Sequence, residues 1–558
     1  MPKKLPNGIS NYEELVRGGY YYVDKTKYIE KMEELPDKRI MFLRPRKFGK
    51  TLFTSVLENY YDVLKEEKFE ELFGETYIGK NPTENKNSYH ILKFNFSGID
   101  TDNVESTMKG FKNSIIVSIK DFCLKYKLNF YINEEQSAED ISNDFYTAFK
   151  YQKENEKIYV IIDEYDHFAN ELLGFHTENF KNLVSKNGKV RKWYEVLKRG
   201  TESVVGRIFI TGVAPITLDS LTSGFNISKD ITIDERFNEM IGFNTKELIE
   251  MMDYEEISKE EQEKLLPIMK ENYDGYKFFV NANEKMYNAN MTLNFLSDYV
   301  GLGRMPESLV DVNIASDYSK LSKMLELCNS EEKKIIIENT IGGKGVLAEI
   351  VEKFNPEMEF GNKELISMLF YLGYLTLEGK DFEEYIFKIP NRVMKELYSE
   401  YFLKSLEKDY NISVDRIYTG ISKEIALEGK IEKIINLLGE YLTNLSNRDY
   451  QKFDEKYVKL LYYCIVMNYH DYVIVSENEI NREYTDLLIY PRDFSINYYS
   501  ILIEFKYLKR EEKSKLDEKR LEAKDQVIEY SKNLTHIKNL KKYTVVAIVD
   551  ELYVDEID

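Results

Sequence analysis

The sequence predicts an α/β fold, with a parallel sheet in the first third, a helical middle and a second region of strands and helices at the end. Three observations carry that expectation. Apolar runs at Arg39–Leu43, His90–Phe96, Ile158–Asp163 and Arg207–Gly212 are separated by helical patterns such as Thr51–Leu64 and Val104–Tyr126. Alternation of this kind calls for parallel strands with helices on both faces. Arg44-Pro-Arg-Lys-Phe-Gly-Lys-Thr51 directly follows the first run, the strand–loop–helix setting of a phosphate cradle. Further on, Ile158-Tyr-Val-Ile-Ile-Asp163-Glu164 is a continuous apolar strand ending in two carboxylates.

In the loop, backbone N–H groups at Phe48, Gly49 and the start of the following helix face an anion. Lys50 then reaches the β- and γ-phosphates, and the Thr51 hydroxyl ligates Mg²⁺. The usual pattern, G-x-x-x-x-G-K-[ST], opens on a glycine, and Arg44 stands in its place; the substitution removes backbone freedom where the loop begins. Asp163 occupies the Walker B position and supplies the hard oxygen that a phosphate-bound Mg²⁺ needs, and Glu164 is placed to polarise an attacking water. Each motif alone reads equally as a strand followed by a polar loop. In order on buried strands, they predict binding of ATP with Mg²⁺. Ligands of parallel sheets bind at the carboxyl ends of the strands, where Lys50, Asp163 and Thr211 converge. Thr211-Gly212 reads either as a γ-phosphate sensor or as a strand-terminating turn. Arg46, Arg207 and Arg236 are all candidates for an arginine finger, with Arg236 the first choice because it follows a carboxylate run after the sensor strand.

A chain of 558 residues is too long for one core. Three domains are expected: a P-loop domain at 1–237, a helical lid with a winged-helix-like region at 238–414, and a third domain at 415–558. The middle reads as helices at Thr245–Met252, Lys259–Tyr273, Leu293–Val300 and Ala315–Leu327. Lys363–Leu372, Gly373–Leu377 and Tyr385–Ile389 then form a winged-helix-like helix–strand–strand unit; such units bind DNA in some proteins and pack as lids in many ATPases, and the lid role is expected here. The three cysteines are far apart and form no C-x-x-C, which fits a reducing compartment and excludes a cysteine zinc site. No apolar run approaches the roughly 18 residues of a membrane helix, and the N-terminus lacks the apolar core of a signal peptide. A cytoplasmic protein without a membrane partner is expected. The net charge of −20 argues against broad coating of nucleic acid. Between Lys506 and Lys542, however, twelve Lys/Arg face seven Asp/Glu. That surplus is either a basic face or a solvated helix laced with ion pairs.

Past Asp415, helices are expected at Ile421–Leu445 and Asp454–Met467, then strands. Tyr484–Tyr490 carries Asp486, and Tyr499–Lys506 carries Glu504 and Lys506 two residues apart. Period-2 geometry puts Glu504 and Lys506 on one face, and hairpin pairing brings Asp486 beside Glu504. Two carboxylates and an amine at a sheet edge can hold Mg²⁺ and orient water for phosphodiester attack. The bland alternative is a solvent-facing hairpin with a cross-strand ion pair. Glu455 or Glu477 can complete a metal site, and Gln526 and Tyr530 lie one turn apart on a following helix.

Taken in order, these features resemble the bacterial family with an AAA-ATPase-like N-terminal domain and a PD-(D/E)XK nuclease-like C-terminal domain. The most specific marks are Leu5-Pro-Asn-Gly-Ile-Ser-Asn-Tyr12, Tyr21-Tyr-Val-Asp-Lys-Thr26 and Arg44–Thr51, and Phe209-Ile-Thr-Gly-Val213 and Tyr273-Asp-Gly-Tyr276 resemble further family marks. In that family arginine at the first loop position is normal. The resemblance implies a P-loop NTPase core, a helical lid with a winged helix, and a restriction-endonuclease-like α/β domain. It assigns Lys50 and Thr51 to phosphate and Mg²⁺, Asp163 and Glu164 to Walker B, Asp486, Glu504 and Lys506 to the nuclease core, and Gln526 to the helix after it. One departure is that Tyr484-Thr485 stand where the family usually has Gly-Arg before the aspartate. The expected function is ATP binding and hydrolysis coupled to a metal-dependent nuclease, in defence or DNA processing. The alternative is a nucleotide-driven switch that binds a partner while its C-terminal domain is catalytically idle. Nucleic acid and a second copy of the chain are the candidate partners, and no protein partner is assigned.

Overall fold

The computed structural model describes residues 4–167, 189–215, 228–306, 309, 314–326, 330–354, 361–410, 420–444, 455–467, 472–480, 483–492, 496–535 and 537–558. They fall into two compact units, Met1–Glu332 with Val346–Arg392, and Lys333–Gly345 with Val393–Asp558.

The first unit is built on a five-stranded sheet of β1 (Arg39–Leu43), β2 (His90–Asn95), β3 (Ile158–Asp163), β4 (Val205–Gly212) and β5 (Lys229–Asp230). Its order is β2-β3-β4-β1-β5, and every pairing is parallel. All six residues of β3 are buried, as expected of a central strand covered on both faces. Because β4 lies between β1 and β3, the ends of all three strands open on the same rim. The helix Val104–Tyr126 begins where the sequence placed it. A capping box between Asn103 and Ser106 fixes its start, and Lys127 in the left-handed region ends it. Its residues Phe111, Ile115, Ile119 and Phe122 recur at helical spacing and are buried. The only tryptophan, Trp193, packs edge-on against Phe94 and Phe96, with ring centroids 5.0 and 5.8 Å away, and donates from Nε1 to Ser142 Oγ at 3.0 Å.

The winged-helix-like part has the helix Asn362–Leu372 and a three-stranded antiparallel sheet of β6 (Val346–Ala348), β7 (Thr376–Asp381) and β8 (Glu384–Lys388), in the order β6-β8-β7. The expected strand Gly373–Leu377 starts later, at Thr376. Gly373, at φ +86°, caps the helix instead, and Tyr374 and Leu375 donate back to Leu369 O.

In the second unit the helical stretch expected over Ile421–Leu445 comprises two helices, Ile421–Glu428 and Glu432–Asn444. Gly429, at φ +66°, ends the first by donating to Ile425 O. The sheet comprises β9 (Tyr472–Ile480), β10 (Glu483–Pro491), β11 (Ser500–Leu508), β12 (Leu540–Ile548) and β13 (Glu551–Ile557). It is antiparallel except for the β11–β12 pair. The helix Leu516–Ser531 connects those two parallel strands, and its Val527 and Tyr530 pack with Leu488 and Leu502 on one face. On the other face Phe505 meets Tyr462 edge-on at 5.2 Å. No helix among the described residues is long and apolar enough to cross a membrane.

Candidate nucleotide and nuclease sites

The phosphate-loop region begins with Arg44, whose guanidinium is buried (1% exposed). It donates to the carbonyls of Leu43, Thr232 and Phe237 at 2.8, 2.7 and 2.8 Å. It also lies between the rings of Phe42 and Phe278, at 4.3 and 4.0 Å from their centroids. Burial lowers its pKa, and Asp230 opposes that effect. The backbone of this loop turns left-handed at Lys47 and Gly49 (φ +68° and +100°), not at Arg44. Arginine is therefore tolerated at a position where the usual pattern has glycine, and it acts as a clamp. At Gly49 an added Cβ meets nothing within 4 Å, so the backbone angle is what calls for glycine. The helix Lys50–Tyr61 starts there, its first N–H groups open to an anion. Lys50 Nζ donates to the carbonyls of Arg44 and Pro45, 3.0 Å each. Burial pulls its pKa down, while Glu164, Asp166 and Asp163 oppose that.

Asp163 ends β3 fully buried, and neither carboxylate oxygen has a hydrogen-bond partner. Burial raises its pKa; Lys93 and Lys50 counter it, and Thr51 lies near enough to help without closing a bond. A buried carboxylate left without partners is costly unless a cation completes it. Glu164 sits at φ +52°, a strained backbone for this residue, and its carboxylate meets His167 Nδ1 at 3.1 Å. That contact, with the charges of Lys50 and Arg46, holds Glu164 below the usual carboxylate range against the opposing effect of burial.

A cavity of about 710 Å³ adjoins Lys50, Thr51 and Glu164, while Asp163 lies behind it and does not line it. Arg46, Gly49, Lys50, Thr51, Glu164 and His167 line its polar part. The rest of its wall comes from Ile9, Tyr22 and Val23 of the N-terminal segment and from Phe243, Met251 and Leu293. The N-terminal segment is anchored from both ends. Tyr12 N donates to Ser55 Oγ on the loop's helix at 2.9 Å, and Lys25 pairs with Glu247 at 2.6 Å, both side chains largely buried.

Of two further expected contacts, Thr211 takes another form and Phe48 keeps the backbone role expected of it. Thr211 donates its hydroxyl to the Phe42 carbonyl at 2.8 Å, inside the sheet, and does not line the cavity. Phe48 points its ring edge-on at Tyr276 and Phe278, with centroids 5.0 and 5.5 Å away, so the face it offers a phosphate is its backbone. His167 and Asp166 were not singled out in the sequence. Asp166 accepts from Val213 N and Ala214 N, the latter at 2.7 Å, and so ties the Walker B turn to the end of β4. A Cβ at Gly212 would lie 2.1 Å from Asp166 Oδ1, and that close approach explains the glycine. The sequence signal for the clamp is the second aspartate in Asp163-Glu-Tyr-Asp166.

In the second unit β10 and β11 pair antiparallel with Leu487 opposite Ile503. Extended one position beyond Leu487 and Ile503, that register would set residue 486 opposite residue 504. The side chains of Asp486, Glu455 and Glu477 lie outside the described residues. Glu504 is buried (2% exposed), and Lys506 Nζ reaches its Oε1 at 2.8 Å. Gln526, on the helix packed over β11 and β12, has a buried Oε1 without a hydrogen-bond partner. Across the sheet Thr544 stands next to Glu504, and Asp555 is held by both arms of Arg520.

Residues 6–222 match a family model described as predicted AAA-ATPase, and residues 453–554 match the PD-(D/E)XK nuclease superfamily. The chain carries an AAA-ATPase-like domain followed by a PD-(D/E)XK nuclease-like domain. The architecture joins a nucleotide-binding domain to a nuclease-like one. Lys50, Thr51, Asp163 and Glu164 fall within the AAA-ATPase-like match, and Asp486, Glu504 and Lys506 within the nuclease-like match. An uncharacterized protein in the vnfD 5′ region of Azotobacter chroococcum mcd 1 is 26% identical over 255 residues. That alignment covers 43% of this chain and 43% of the relative's own length.

Proposed function

We propose that the protein binds and hydrolyses ATP with Mg²⁺ in the first unit and couples this to metal-dependent phosphodiester cleavage by Asp486, Glu504 and Lys506 in the second. The observation that carries the first half is the pair of unpartnered, buried Asp163 oxygens at the strand end beside the Lys50–Thr51 helix start. The donor set fits Mg²⁺, which takes one or two protein oxygens and completes its shell with water and phosphate. Thr51 and Asp163 would hold the ion, which when bound neutralises phosphate charge. Lys50 leaves its two loop carbonyls to meet the β- and γ-phosphates, and Glu164, oriented by His167, polarises the water. In the second unit, Asp486 and Glu504 would hold a divalent ion that activates water, and Lys506 orients the Glu504 carboxylate. Defence against foreign nucleic acid or DNA processing is the setting such a pairing suits.

Purified protein, Lys50→Ala and Glu504→Ala are compared for ATP turnover and for cleavage of single- and double-stranded DNA and RNA. Lys50→Ala is expected to lose turnover; Glu504→Ala is expected to keep turnover and lose cleavage. Cleavage that survives Glu504→Ala refutes the nuclease assignment.

One observation favours a second reading, a nucleotide-driven switch with an idle C-terminal domain. Along the basic stretch, Lys506, Lys513, Lys515, Lys519, Arg520, Lys532 and Lys541 are each paired with a carboxylate. This is the ion-pair-laced alternative read from the sequence, and it leaves little free charge for a phosphate backbone. Under that reading no substrate is cut with any metal, while Lys50→Ala still abolishes an ATP-dependent change in sedimentation.

A further inference from the structure

A phosphoryl-transfer site needs positive charge where the γ-phosphate leaves, and an arginine commonly supplies it, from the same chain or from a neighbour. Three arginines qualify by sequence, and their placement separates them. Arg236, the first choice, is bound in a fork to Asp234, at 3.0 and 2.6 Å, and its side chain is 57% exposed. Arg207 pairs in register with Tyr159 at the start of β3, four residues before Asp163. At about 3.3 Å per residue that is roughly 13 Å from the strand ends. It is also buried near Tyr61, Tyr159 and Glu33. Arg46 alone of the three lines the cavity, together with Lys50, Thr51 and Glu164.

The loop around Arg46 is fixed while its charge is left in reserve. Asn288 Nδ2 donates to the Arg46 carbonyl at 3.4 Å, and Asn290 N donates to the Lys47 carbonyl at 3.1 Å. Arg44, two residues earlier, spends its guanidinium on three carbonyls. The Arg46 guanidinium closes no hydrogen bond or ion pair among the described residues. Its field nonetheless acts on both neighbours, lowering Glu164 and opposing the charged form of Lys50. A cation beside Lys50 whose guanidinium is bonded to no anion among the described residues is poised for an anionic ligand.

We propose that Arg46 is the arginine that meets the transferring phosphoryl group in cis, so that hydrolysis needs no arginine from a second subunit. The inference rests on the ATPase reading above. In the step it serves, water's oxygen bonds to the γ-phosphorus as the bond to the β–γ bridging oxygen breaks. The electron pair leaves on ADP, and water's proton passes by way of Glu164 to solvent. Charge spreads over the γ-phosphoryl oxygens at that moment, and a planar fork of N–H donors matches two of them.

The test uses the full chain with Arg46→Ala and Arg46→Lys, beside Lys50→Ala. Calorimetry measures binding of a non-hydrolysable ATP analogue and of ADP with aluminium fluoride, which mimics the transferring group, both with Mg²⁺. Arg46→Ala is expected to bind the ATP analogue within a few-fold of wild type, and to lose at least about 100-fold in aluminium fluoride complex affinity and in kcat. Arg46→Lys should recover part of both, and wild-type turnover per molecule should not change with protein concentration. Arg46→Ala with wild-type kcat and wild-type trapping overturns the proposal, as does turnover per molecule that rises with concentration. If wild type binds neither probe, the ATPase reading itself fails, a result distinct from a silent Arg46→Ala in an active enzyme.

Discussion

Arg44→Gly would restore the usual glycine-first loop pattern, and it is expected to weaken the protein. Reasoning from the motif alone predicts a more flexible, more regular loop that binds phosphate at least as well. The structure argues the opposite. The mutation removes three charge-assisted hydrogen bonds, each contributing about 1.5–3 kcal/mol, and two cation–π contacts of about 0.5–2 kcal/mol each. Water recovers part of this by reaching the freed carbonyls of Leu43, Thr232 and Phe237. Glycine adds about 0.5–1 kcal/mol of backbone entropy cost. A net loss of about 3–5 kcal/mol remains, at the top of the range for single substitutions. Urea unfolding followed through Trp193 fluorescence reads it as a fall in midpoint of about 1–2 M. Arg44→Lys should rescue little, because one ammonium cannot span three carbonyls between two rings. An unchanged midpoint for Arg44→Gly, with equal or tighter ATP binding, would refute the clamp.

Gly275→Ala should destabilise the first unit by about 3–5 kcal/mol, measured as a lowered thermal midpoint. Its φ is +100°, and an added Cβ would lie 2.0 Å from the Pro390 carbonyl oxygen. Glu13 is held at about 2 by its hydrogen bond to Lys65, with Lys68 adding to it. A lowered folded-state value means this stabilisation is fully present above the unfolded value near 4.5 and is lost as pH falls toward about 2. Glu13→Gln should therefore cost about 1 kcal/mol near neutral pH, after allowance for solvent screening, and nothing below about pH 2. Acid-unfolding curves of the two proteins should converge at the low end, and curves that stay parallel would contradict the assignment.

How much of this was legible in the sequence depends on the range over which each feature is encoded. Ile158–Asp163 is buried on both faces, so an unbroken apolar run with a terminal carboxylate already described the strand and the acidic residue at its end. The β10–β11 hairpin was likewise readable, because period-2 alternation and the pairing register, extended one position, would set position 486 opposite Glu504. Arg44 was not readable, since its partners are backbone carbonyls at Thr232 and Phe237 and a ring at Phe278, about two hundred positions away in the chain. The same holds for the cavity wall. Ile9 and Val23 stand in segments without helical or strand periodicity, and they were notable only through resemblance. Thr211 shows the reverse failure. A polar residue at a strand end looks free to meet a ligand, yet the neighbouring strand places the Phe42 carbonyl within its reach. Gly429 was visible inside Ile421–Leu445, but its effect on that helical stretch depended on a left-handed backbone that composition does not announce.

The measurement that bears most directly on the account is metal-dependent cleavage by the full chain with and without ATP, for wild type, Lys50→Ala and Glu504→Ala. Cleavage that responds to ATP in wild type, loses that response in Lys50→Ala and vanishes in Glu504→Ala is the predicted result. Cleavage indifferent to ATP, or persisting in Glu504→Ala, would contradict it.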